Sequence, residues 1–170
     1  ATDTAPDMLW VKEAIGRVGG DSEALAILRP TSPFRTAETI CRGWRQFQDL
    51  PMQMESLRAV EPVGQHPGKM WHLVDPGRLR PVLDRSMDGT PWHSMPTQSL
   101  PKYFVQNSSL EMVRIQAVRE TGTISGHYIA PFYTEGYEGL AIDTEDDWQR
   151  AVQLVAAGDV ALPSVHLGSV

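Results

Sequence analysis

Three short stretches of this sequence hold residues able to do chemistry. The first is Leu28–Arg29–Pro30–Thr31–Ser32–Pro33–Phe34–Arg35, where two arginines and two hydroxyls share a segment stiffened by two prolines. Guanidinium forks and hydroxyls suit the oxygens of a phosphate or carboxylate. A stiff connector with solvated arginines is the alternative reading of the same residues. The second is Gln65–His66–Pro67–Gly68–Lys69–Met70–Trp71, a histidine and a lysine around a Pro-Gly pair. His66, His72, His93, His127 and His166 form no pair at the spacing of a helix-borne zinc site, which argues against zinc. The third runs from Gly139 to Trp148 and carries Asp143, Glu145, Asp146 and Asp147. The last three acids complement the dipole of a helix beginning there. Asp143 precedes that helix, where a Mg²⁺ ion shared with phosphate oxygens would lie. Ser125–Gly126–His127 sets a serine near a histidine, but the sequence has no G-x-S-x-G elbow, so serine hydrolysis has little support.

An α/β domain with a mainly parallel sheet is predicted to position these stretches. Leu9, Val11, Ala14, Ile15 and Val18 give Met8–Val18 an apolar helical face, ended by Gly19–Gly20–Asp21. The unbroken apolar run Ala24–Leu28 predicts a central strand buried on both faces, with Arg29–Arg35 at its carboxyl end, where open α/β sheets bind ligands. Thr36 caps a helix running to about Phe47. Met54–Val63, Lys102–Met112, Gly126–Phe132 and Gly139–Ile142 read as further strands, with a short helix near Ile115–Glu120. Thr144–Ala157 is the last helix, capped by Thr144 and Asp147 and ended by Gly158. Asp159–Val170 carries neither helix nor strand signal.

Gly64–Leu100 differs in character. It holds Pro67, Pro76, Pro81, Pro91 and Pro96, and short apolar pieces at Met70–Val74 and Leu79–Leu83 flank the turn Asp75–Pro76–Gly77. This predicts a protruding β-arm. Its Met70, Trp71, Leu79, Val82, Leu83 and Trp92 cannot bury themselves in a hairpin alone, so a homodimer through the arm is expected.

The 170 residues are enough for one compact domain, with 41% hydrophobic and 21% charged residues. A net charge of −6 without any basic block argues against nucleic acid or an anionic membrane surface as partner. No apolar run approaches a membrane-spanning length. Cys41 is the single cysteine, which excludes an internal disulfide and fits a reducing cytoplasm. Ala1–Asp7 shows no charged start followed by an apolar stretch, so no signal peptide is expected.

Four segments in order, LRPTSPFR at Leu28–Arg35, QHPGKMW at Gln65–Trp71, LPKYFVQNSSLEM at Leu100–Met112 and IDTEDDW at Ile142–Trp148, resemble the acylneuraminate cytidylyltransferase family. These are the CMP-sialic acid synthetases and their relatives acting on other sugars. The resemblance implies a three-layer α/β/α nucleotide-diphospho-sugar transferase fold of Rossmann-like type. It implies an enzyme that uses CTP and Mg²⁺ to activate a sugar or acidic sugar such as a nonulosonate, releases pyrophosphate and dimerises through a β-arm. Arg29, Arg35 and Lys69 are then the expected catalytic residues, Lys69 reaching the neighbouring subunit's sugar site. Ser32, Gln98 and Asn107 are expected to bind substrate, and Asp143 to bind Mg²⁺ once CTP is present.

Departures from the family pattern are specific. The family's glycine- and lysine-bearing nucleotide loop, which lies before the motif matched by Asp3–Thr4, has no counterpart in this sequence. The family commonly has Gln at the place of Arg29, Arg at that of Thr97, Asn-Gly-Ala at Asn107–Ser108–Ser109, and a first metal aspartate where Ala141 stands. A different sugar fits these changes. So does a non-catalytic homologue that dimerises or binds sugar but has lost CTP binding.

Overall fold

A computed structural model describes residues 6–18 and 22–164. The stop signal at Gly19–Asp21, the motif residues Asp3 and Thr4, and His166 lie outside the described residues. The chain divides into a body, formed by the residues up to Val60 and from Gln106 onward, and a second unit, Glu61–Val105.

The body is a mixed sheet with helices on both faces. In chain order it contains α1 (Asp7–Val18), β1 (Ala24–Ile27), α2 (Ala37–Gln48) and β2 (Ser56–Pro62). After the second unit it continues through β5 (Phe104–Arg114), α3 (Ile115–Thr121), β6 (Ile129–Tyr133) and α4 (Glu145–Ala157). Strand order is β1-β5-β2-β6, with β1 antiparallel to β5 and β2 parallel to β6. Alternation along β5 separates two cores. Leu110 and Met112 join Phe47 of α2, Leu57, Ala59, Ala130 and Phe132 in one. Val113 joins Val11 of α1, Ile27, Ala117 and Val118 in the other. Helix, sheet, helix is the three-layer arrangement that the resemblance implies.

Three expectations need correction. Among the described residues Ala24–Ile27 lies at an end of the sheet, not at its centre, and the sheet is mixed rather than mainly parallel. Leu25 and Ile27 turn into the core shared with α1, while Ala26 is exposed. A continuous apolar run containing small alanines therefore serves an edge strand that buries mainly its Leu25–Ile27 face, while Ala24 packs against the other core. Gly139–Ile142 forms no strand. Its surroundings spend their amides on turns, Glu138 N–H donating to the Glu135 carbonyl and Leu140 N–H to that of Tyr137.

The second unit holds β3 (Trp71–Asp75) and β4 (Arg78–Pro81), an antiparallel pair in which Leu73 faces Leu79. Gly77 closes their turn at φ +87°, a conformation that a Cβ would strain. Every residue of β3 is exposed.

Candidate active site

Helix α2 starts with Thr36 capped reciprocally by Thr39, which fixes the end of the Leu28–Arg35 loop. The loop is then tied to β5. Ser32, buried, donates from Oγ to the Ser108 carbonyl at 3.0 Å. Arg35 donates from Nη1 to the Ser109 carbonyl at 2.7 Å and from Nη2 to the Arg29 carbonyl at 2.9 Å. Burial pushes the Arg35 guanidinium down from its ordinary value, and two carbonyls take its N–H groups. Asn107 accepts from Ser109 N–H and donates to Thr134 Oγ1 at 3.0 Å. The Ile142 amide donates to the Thr31 carbonyl at 2.9 Å and brings Asp143 to the same loop. Arg29, Ser32, Arg35, Asn107 and Asp143 thus surround one junction of the body. Lys69 and Gln98 belong to the second unit.

Arg29 sits in a charge chain that the sequence did not single out. Its Nη2 lies 2.5 Å from Asp7 Oδ2 and 3.3 Å from Glu111 Oε1. The other carboxylate oxygen of Glu111 lies 2.7 Å from Nη2 of Arg58, which also donates to Ser125 Oγ, while its Nη1 donates to Gln106. Glu111 is 7% exposed, so its charge is neutralised internally rather than by water. The hydrogen bond from Arg29 holds the Asp7 carboxyl below its usual range, and Asp7 in turn raises Arg29. A sequence signal for this chain did exist: Arg58 and Glu111 are charges set between apolar neighbours in strands. Nearby, the Ser109 hydroxyl is buried with no partner among the described residues.

The segment carrying Asp143 is anchored from α2. Glu138 accepts from Thr39 Oγ1 at 2.7 Å, Arg42 Nη2 at 2.6 Å and Glu135 N–H at 2.9 Å. Burial opposes its charge, but these bonds outweigh that and hold its carboxyl below the ordinary value. Asp143 itself is exposed, and its N–H donates to Asp147, whose Oδ2 also receives Thr144 N–H and Oγ1.

Among the described residues no three His, Cys, Asp or Glu side chains gather into a metal cage. Asp143 is an exposed carboxylate at this junction, a donor that could share a Mg²⁺ with phosphate oxygens.

In the second unit Lys69 lies in the turn Pro67–Lys69 and donates from Nζ to the carbonyls of His93 at 2.8 Å and Met95 at 2.5 Å. His66 Nδ1 accepts from Gly68 N–H, and its ring packs against Trp92 and Tyr103. Gln98 is exposed on the turn Thr97–Ser99.

No protein-family model matches the chain. Among solved structures it is similar to a 4-diphosphocytidyl-2C-methyl-D-erythritol synthase from Anaerococcus prevotii, at TM-score 0.56 and 10% identity, over 90% of this chain and 68% of that one. No helix among the described residues is long and apolar enough to cross a membrane. The body therefore has a mixed α/β fold of the nucleotidyltransferase-like Rossmann type.

Proposed function

We propose that the protein is a cytidylyltransferase that activates a sugar, or an acidic sugar such as a nonulosonate, with CTP to give a CMP-sugar and pyrophosphate. The observation that carries this reading is the junction where the Leu28–Arg35 loop, Asn107–Ser109 of β5 and the Ile142–Asp143 segment meet, on a fold shared with a solved 4-diphosphocytidyl-2C-methyl-D-erythritol synthase. In the reaction the sugar hydroxyl oxygen bonds to the α-phosphorus as the bond to the bridging oxygen breaks. The hydroxyl proton passes to water and pyrophosphate leaves.

Such chemistry depends on positioning and on neutralising phosphate charge. Arg29 supplies the guanidinium for anionic oxygens, and Arg35 and Ser32 hold the loop that presents it. Asn107 and Gln98 offer amides to sugar hydroxyls, and Lys69 acts from the arm of a second subunit in a cytoplasmic homodimer. Mg²⁺ on Asp143 would neutralise the triphosphate.

A second reading, a non-catalytic dimerising or sugar-binding homologue, is favoured by the internal partners that both arginines already have. Pyrophosphate release from CTP, assayed with Mg²⁺ across neutral and acidic sugars, separates the two. Turnover with a sugar supports the first. CTP left uncleaved and unbound beside measurable sugar binding supports the second.

A further inference from the structure

We infer that the Asp7 carboxylate is an internal stand-in for a ligand oxyanion, an autoinhibitory latch that a phosphate or carboxylate group must displace from Arg29. The inference rests on the proposed function only for the identity of that oxyanion. Its geometry is independent: Asp7 Oδ2 and Oδ1 meet Arg29 Nη2 and Nη1 at 2.5 and 3.5 Å, the two-pronged pairing that a guanidinium makes with any oxyanion.

Three features make this pair exchangeable. The first concerns Arg35, the other arginine of the loop, whose bonds go to backbone carbonyls that cannot leave. Arg29 instead holds two carboxylates, and Asp7 is the accessible one, at 33% side-chain exposure against 10% for Glu111.

The second is charge. Asp7, Arg29, Glu111 and Arg58 form a neutral set, so an added anion is accommodated without excess charge only if one carboxylate gives up its place. Glu111, shared with Arg58 inside the body, is the costly one to move. The third is that Asp7 has somewhere to go. It opens α1, where a negative charge is favoured, and Trp10 Nε1 donates to its Oδ1 at 3.2 Å.

The test uses the whole chain with pyrophosphate and, separately, glucuronate as probes. Binding is measured by calorimetry, and the Trp10 indole N–H is followed by NMR after assignment with Trp10→Phe. The wild type should bind one probe with a saturable shift of that resonance. Asp7→Asn should tighten binding about three- to tenfold, the scale of a partly exposed charge-assisted pair. Arg29→Gln should abolish binding in both backgrounds. The probe that responds tells phosphate from carboxylate. If the amide variant does not fold, Asp7→Ser repeats the measurement.

Unchanged or weaker binding in a folded Asp7 variant overturns the latch, as does absence of binding by both probes. Tightened pyrophosphate binding without any CTP turnover would instead leave the latch standing and remove the cytidylyl reading.

Discussion

At the scale of single residues, partners decide what a charge can do. Glu111 is 10% exposed at its side chain and shared by Arg58 and Arg29. Glu111→Gln would take from Arg58 the carboxylate it pairs with and leave Arg29 to Asp7, and urea unfolding should register a loss of about 3 kcal/mol. Replacing Glu111 and Arg58 together by methionine should cost much less, because it removes both charges instead of stranding one. Asp143 is the contrasting case. Its side chain is exposed, and the bond that ties it to the last helix comes from its main-chain N–H. Asp143→Asn should therefore abolish Mg²⁺-dependent turnover while leaving the unfolding midpoint nearly unchanged. A variant that unfolds earlier and keeps normal activity would make Asp143 a structural residue only.

At the scale of elements, α2 and the segment following β6 are joined through Glu138, Thr39 and Arg42. Because the folded protein holds the Glu138 carboxyl below its ordinary value of 4.5, this anchor contributes its full stability above that pH. The contribution is lost as pH falls through the lower folded value, with that of Asp7 added below its ordinary 3.8. Glu138→Gln should lower stability at neutral pH and flatten its fall below pH 4.5, as read from denaturant titrations at each pH. A slope equal to the wild type's would mean that Glu138 is not held as an anion. The helices around this anchor were legible from local signals, since Thr36 and Thr144 both make their capping boxes. The place of β1 in the sheet was not, because its residues pair with residues of β5 that lie 84 to 90 positions away, and pairing over such distances leaves no local trace. The same limit applied to the site. Arg29, Ser32 and Asn107 could be picked out by type, but Asp7 and Glu111 as the partners of Arg29 depend on how α1 and β5 pack.

At the scale of the whole molecule, the unit Glu61–Val105 keeps little of its apolar surface to itself. Trp71 is 44% exposed, Leu73 61%, Leu79 57% and Val82 53%, on a two-stranded hairpin of a kind that is marginal alone in water. Its internal ties include the ring of Trp71 against His93, that of His66 against Trp92 and Tyr103, the backbone bond from Val82 to Met70, and the Lys69 ammonium on two carbonyls. Charge does not keep copies apart at this surface, since the unit carries five basic and four acidic side chains while the chain as a whole stands at −6. A second copy of the chain is the cover that the proposed function requires, because it would also bring Lys69 to the partner's site. Light scattering at micromolar concentration should therefore give about twice the 18.9 kDa of one chain. Leu73 and Leu79 face each other across the hairpin, so changing both to aspartate should shift the mass to that of one chain and leave the body's unfolding midpoint in place. If the unaltered protein is already monomeric at that concentration, the arm is not a dimer interface and Lys69 loses its proposed role.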